Sequence, residues 1–308
     1  MKTRNWLQRS LADVKQNKWL YIFVLPGIAF FFTFCYIPMY GVLAAFQDFK
    51  ITKGVFGSKW IGLLRFREFF NSPTFSQLMV NTVCISLLKL LFGFPAPIIL
   101  ALLFNEVRLK KFKRVTQTIS YLPFFLSWSV AGGIWMEIFA QEGPINQALR
   151  WLGVIDKPVL WMGLPNLFWG ILVGTDIWKG VGFGSVLYLA ALTSVDPCLY
   201  ESAVIDGANR LQKMWHISLP TIAPVMAVQF ILSTPGILSA GFDQIMVMRT
   251  PLVNSISRII DIYVYEMGIV AGDYTAATVV GLFKSVIGLI LLLISTRLIN
   301  KFSEERMF

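Results

Sequence analysis

The chain has 308 residues, 56% hydrophobic and 14% charged, with a formal net charge of +10 and a mean hydropathy of +0.65. Soluble domains carry roughly a quarter charged residues, and a soluble core cannot hide this much apolar surface, so the composition excludes a soluble protein and specifies an integral membrane one. The basic residues gather beside apolar runs, where they read as topology signals rather than as a nucleic-acid surface; Cys35, Cys84 and Cys198 show neither metal-type spacing nor a disulfide framework.

Residues 1–19 form a basic tail in which Lys2, Arg4, Arg9, Lys15 and Lys18 face Asp13 alone. No small-residue cleavage site follows, and the next apolar run is too long for a signal-peptide core. Six apolar spans are predicted at 20–46, 78–104, 115–139, 166–191, 221–243 and 276–299, each near or above the roughly 20 residues a bilayer requires. The reading is an all-α integral membrane protein. A first transmembrane helix and external loop occupy 20–76, a core membrane domain 77–299, and a C-terminal tail 300–308. The tail, the 105–114 loop, the 196–220 loop and the C-terminal end together hold fifteen Lys and Arg, against nine in the three opposite loops. The basic excess places both termini and the 196–220 loop in the cytoplasm.

Several spans carry helix breakers: Pro26, Gly27, Pro38 and Gly41 in the first, Gly93, Pro95 and Pro97 in the second, and Pro123, Gly132 and Gly133 in the third. Such residues suit a bending machine, and they are also common in ordinary membrane helices. In span four, Gly180, Gly182 and Gly184 lack the Lys-Ser/Thr of a phosphate loop, so nucleotide binding is rejected for this chain. Lys89, Asp176, Lys179 and Lys284 lie inside apolar runs, with Glu137 and Asp243 near span ends. Each is costly facing lipid. Two readings stay open: a polar translocation path, or interior ion pairs such as Lys89 or Lys179 with Asp176. Trp128, Trp135, Trp178 and Phe183 fit sugar stacking in the same cavity, or plain packing.

Between spans four and five runs DPCLYESAVIDGANRLQKMWHISLPTIAP. Asp196 suits a helix N-cap and Pro197 its first position. Gly207 suits the C-terminal end, Asn209 a second start, and Pro220 and Pro224 the entry to span five. The prediction is two short helices at the membrane surface, presenting small residues beside the carboxylate of Glu201. The pattern Glu201-Ser202-Ala203, Gly207, then Ile217-Ser218-Leu219-Pro220 resembles the EAA loop of ABC importer permeases, with Ser202 where alanine is usual. In that family the loop is a coupling helix seated on a cytoplasmic ATPase. The resemblance therefore implies an ATPase-coupling surface on Glu201, Ser202, Ala203, Asp206, Gly207, Ile217, Leu219 and Pro220.

Three further phrases, PMYGVLAAFQDF (38–49), FGFPAPIILALLFNE (92–106) and KRVTQTISYLPFFLSWSVAGG (113–133), are similar to the polysaccharide or aldouronate-type branch, although Phe124 stands where histidine is frequent. The resemblance implies the type I importer fold in a bacterial cell membrane, without catalysis or a metal or cofactor in this chain. It also implies a second homologous permease, two ATPase subunits that hold ATP and magnesium, and a lipoprotein that delivers an oligosaccharide from outside. The residues expected along the path are Trp128, Trp135, Asp176, Lys179, Asp243 and Lys284. The alternative is an ion- or proton-coupled secondary transporter that uses Asp176 and Lys284, a class often built from inverted repeats that this sequence does not display. A membrane enzyme is disfavoured, since no HExxH, GxSxG or Cys/His constellation occurs.

Overall fold

The computed structural model describes residues 16–302, and side-chain surroundings as far as 298; the basic tail before residue 16 and the last residues of the C-terminal tail lie outside that range. Among the described residues four helices are long and apolar enough to cross a membrane, or six when each of two sharply bent pairs counts as one crossing.

The first crossing runs Lys18–Phe46, beginning as helix α1 (Lys18–Phe31) and tightening after a π turn into a 3-10 stretch to Phe46. No residue of α1 is buried; its apolar surface is available to lipid or to another chain. A two-stranded hairpin follows, Gln47–Asp48 against Lys59–Trp60, with Trp60 stacked on Phe46.

The second crossing, Pro73–Glu106, starts where the Ser72 hydroxyl accepts from the Phe75 amide and Pro73 takes the first helical position. It comprises α2 (Pro73–Gly93) and α3 (Pro95–Glu106). Beyond it the span predicted over 115–139, with Pro123 among its breakers, is sharply bent. Helix α4 (Lys110–Tyr121) ends in a 3-10 turn at Leu122–Phe125, and α5 (Trp128–Ile138) leaves at 105° to it. Pro123 cannot donate to the helical ladder, and the hydroxyl of Ser127 caps a fresh start by accepting from the Val130 amide.

The longest interior helix, α6 (Pro165–Leu192), joins α7 (Pro197–Ile205) at 80°. The fifth crossing is continuous from Arg210 to Leu238 and contains α8 (Leu219–Ser233). Thus the second of the two predicted surface helices is the first turns of this crossing. Pro220 sits inside it, just beyond a π turn at Met214–Ser218. That wider turn precedes the point where a proline ring would meet the carbonyl of His216, four residues back, and where one helical hydrogen bond is missing. After a left-handed pair, Ala240 (φ 48°) and Gly241 (φ 87°), come α9 (Phe242–Met248), α10 (Ile260–Tyr265) and the last crossing, α11 (Tyr274–Phe302).

Three apolar clusters hold the bundle. One joins Ile85, Phe168, Leu172, Ile245, Met248 and Ile262; a second joins Phe69, Leu78, Leu238, Ile260 and Val280; the third joins Ile98, Leu102, Tyr188, Leu192 and Ile222. The loops at the opposite end from α7 are tied down by polar side chains. Asn146, fully buried, donates to the carbonyls of Ala140 and Val159 and accepts from the Val159 amide and the Trp161 indole. Asn81 donates to the carbonyls of Ser255 and Arg258, and Glu266 bridges Arg249 (3.0 Å) and Arg258 (2.8 Å).

Candidate functional site

Two places carry the chemistry: the projecting α7 and a polar seam part-way along the crossings. Asp196 caps α7, its Oδ1 accepting from the Cys198 amide at 2.9 Å with Pro197 behind it. The chain leaves α7 through Gly207 at φ 77°, a conformation glycine adopts without strain. Asn209 and Gln212 then form a reciprocal capping box. Glu201, Ser202, Asp206 and Gly207 are exposed, and Ala203 is half-buried.

Ile217 and Leu219 point inward instead, packing on the cluster around Ile98, Leu192 and Ile222, while Pro220 is exposed on the helix. The predicted surface therefore divides into a presented face and an anchoring face. The anchor includes a residue the sequence reading passed over: Tyr200, whose hydroxyl shares a 2.8 Å hydrogen bond with the buried hydroxyl of Ser218. The presented face also extends further than predicted. Ile205 is 86% exposed, Leu211 74% and Trp215 69%, large apolar side chains left open in the same loop as Glu201. Leu211 and Trp215 lie four apart on one helix face, a spacing that signals a shared surface.

In the seam, Lys89 of α2 meets Asp176 of α6 at 3.3 Å and also donates to Gln244 of α9. Gln244, fully buried, donates in turn to the Leu172 carbonyl at 2.8 Å and the Thr175 hydroxyl at 2.7 Å. Of the two partners the sequence left open for Asp176, the fold selects Lys89. Gly241 makes room for it: a Cβ there would collide with the Lys89 ammonium. Lys89, Asp176 and Gly241 line a cavity of about 380 Å³ with Ser86, Ser233 and Gly236. The Ser86 hydroxyl is buried and without a hydrogen-bond partner among the described residues.

Lys284 is paired as well, with Asp261 at 2.6 Å, a partner the sequence reading did not name because Asp261 lies in an external loop by hydropathy. Asp243 is exposed at the start of α9. Trp135 packs edge-on to Trp178 and stacks on Phe139. Lys179 donates to the Phe124 carbonyl at 2.8 Å, with its ammonium 5.6 Å from the Trp128 ring centroid.

A multi-crossing helical bundle with a projecting foot at one end and a polar cavity within it is the architecture of a transport permease. The chain belongs to the family of binding-protein-dependent transport system inner membrane components, whose model matches residues 93–307. It is 42% identical to Protein LplB of Bacillus subtilis (strain 168) over 97% of this chain and 93% of that protein. It is 39% identical to the polygalacturonan/rhamnogalacturonan transport system permease protein YteP of the same organism, over 98% and 94%. Among solved structures it resembles a chain of a bacterial ABC transporter involved in the import of the acidic polysaccharide alginate, at 36% identity and a TM-score of 0.89, covering 96% of this chain and all of that one. A chain of a bacterial alginate ABC transporter in complex with an alginate pentasaccharide-bound periplasmic protein matches at 36% identity and 0.88, covering 95% and 98%.

The protein is thus a multi-pass permease component of an ABC importer, and the ion-coupled and enzymatic alternatives fall away.

Proposed function

We propose that the chain, paired with a second homologous permease, forms the membrane path by which an oligosaccharide enters a bacterial cell. A lipoprotein on the outer face delivers the sugar. Two cytoplasmic ATPase subunits hold ATP and magnesium and perform the hydrolysis. Both termini and α7 face the cytoplasm, in keeping with the basic residues at 105–114.

The observation that carries this reading is α7 itself. It stands at 80° to its crossing, capped at its start, released by a left-handed glycine, and tied back through Tyr200 and Ser218. A surface that presents Glu201 and Ile205 while its other side is fixed to two crossings transmits a push as a rigid lever. ATP closure and sugar delivery drive transport only if both favour the same conformation of the bundle, since coupling is a difference in binding between two states. The sugar assignment draws support from the polysaccharide-handling relatives and from the aromatic rings around the seam.

The test is Glu201→Lys, which replaces an acceptor for Arg or Lys on the ATPase with a repelling charge. Membrane insertion should be unchanged, ATPase copurification should fall at least tenfold, and uptake should stop. A variant that still assembles and transports at the wild-type rate would refute the coupling assignment.

A further inference from the structure

Between α3 and the fifth crossing lies a groove of about 340 Å³, lined without a single charged, amide or hydroxyl side chain. Ile98, Leu102 and Leu219 form its floor, backed by the third apolar cluster. Ile99, Leu103 and Trp215 form its rims and stay 56%, 53% and 69% exposed. No described segment of this chain covers them.

The dimensions of the groove select its occupant. One wall runs from Pro95 to Leu103 and the other from Trp215 to Met226, about 12 Å and about 16 Å of helix. That matches the hydrocarbon depth of one leaflet, about 15 Å of a core about 30 Å thick. Spread over this length, the volume gives a cross-section of about 20–30 Å², against about 80 Å² for a helix 10 Å across. An acyl chain lying lengthwise fills such a slot. A helix of another chain would bridge the rims and leave a void beneath it, where the floor residues lose their dispersion contacts.

The charge beyond the slot points the same way. Arg210 stands one helical turn before Met214, a lining residue, on the same face of the crossing. Arg108 follows the end of α3, with Lys110 and Lys111 after it. All four are exposed, while Glu106, the acidic group beside them in sequence, is half-buried. Among the described residues no carboxylate comes within 4.0 Å of any of the four basic groups. An indole at the mouth of an apolar slot, with basic side chains just outside it, is the pattern of a membrane–water boundary that attracts anionic headgroups.

We propose that the groove holds one acyl chain of an anionic glycerophospholipid from the leaflet on the α7 side, its phosphate meeting the basic rim that Arg108 and Arg210 begin. A zwitterionic lipid would bring its own cation against that rim, so the site discriminates by headgroup as well as by chain. The site stands apart from the sugar path.

The experiment strips lipid from the assembled importer in detergent, titrates it with phosphatidylglycerol or phosphatidylcholine, and counts the adducts by native mass spectrometry. The wild type should bind phosphatidylglycerol roughly tenfold more tightly than phosphatidylcholine. Leu103→Trp and, separately, Ile99→Trp put an indole into the slot from exposed positions outside the buried core. Each should weaken phosphatidylglycerol by roughly tenfold or more, while the second permease and the ATPases still copurify. Arg210→Gln should weaken phosphatidylglycerol by about fivefold, the effect of one basic side chain at an anionic surface, and leave phosphatidylcholine unchanged. The site is overturned if both indole variants hold phosphatidylglycerol as tightly as the wild type, or if the wild type does not distinguish the two lipids. Loss of the second permease or of the ATPases from both indole variants would overturn it too, since a neighbouring chain would then be the occupant of the groove.

Discussion

Breaking the Lys89–Asp176 pair on one side should cost more than removing both partners. At 3.3 Å and an effective dielectric of about 20, the gross attraction is about 5 kcal/mol, partly offset by the desolvation of both groups. The two partners differ in burial: the Lys89 side chain is 12% exposed and that of Asp176 37%. Asp176→Asn leaves an ammonium in a nearly closed site, a loss of about 3 kcal/mol. Lys89→Met leaves a carboxylate that cavity water partly screens, and a Gln244 acceptor without its donor, together about 2–3 kcal/mol. The double variant retains only the Gln244 defect, about 1–2 kcal/mol.

The assay is the thermal midpoint of the detergent-solubilised complex, followed by fluorescence-detected size exclusion. For a chain of this length 1 kcal/mol shifts the midpoint by about 1–2 °C, because the unfolding entropy grows with the number of residues. Asp176→Asn should therefore fall by roughly 3–6 °C, and the double variant should recover about a third to two thirds of that loss. If the double variant instead shows the sum of the two single losses to within about 0.5 kcal/mol, the two side chains do not interact and the reasoning fails.

Two further outcomes follow from close packing. Gly182→Ala would drive a Cβ into the backbone carbonyl of Ser120, with the Ser120 Cβ only 3.0 Å away. No flexible side chain can yield there, so α4 and α6 must separate, at a cost of about 1–3 kcal/mol read as a lowered thermal midpoint; an unchanged midpoint would contradict this helix crossing. Tyr200→Phe removes the tie between α7 and Ser218 and leaves a buried hydroxyl unpaired, about 1–3 kcal/mol locally. Uptake per ATP hydrolysed should drop while ATPase copurification persists, and unchanged coupling would show that the hydrogen bond does not stiffen the lever.

Much of this protein was legible in its residues. The apolar runs gave five of the six crossings to within a few residues at most ends, because a run of about 20 apolar residues has few alternatives to a membrane helix. Asp196, Pro197, Gly207 and Asn209 marked α7 and the turn after it, because caps and left-handed glycines act through neighbours a few positions away. What one-dimensional reading missed was long-range or fell on competing local signals. Pro123 marked a breaker in span three, but the size of the bend, 105°, left no record along the chain. The anchoring of Tyr200 on Ser218 spans 18 positions and left no periodic trace.

By itself, then, the sequence determined the solvent, the number of crossings and the place of the projecting foot, since each depends on local composition and capping. Only the tertiary structure decided which charges are spent on one another. Lys89 and Lys179 read alike as lone cations in apolar helices. The fold brings Asp176, 87 positions away, to the first and a pair of aromatic rings to the second. Electrostatic pairing depends on distance in space, and hydropathy along the chain carries no record of it.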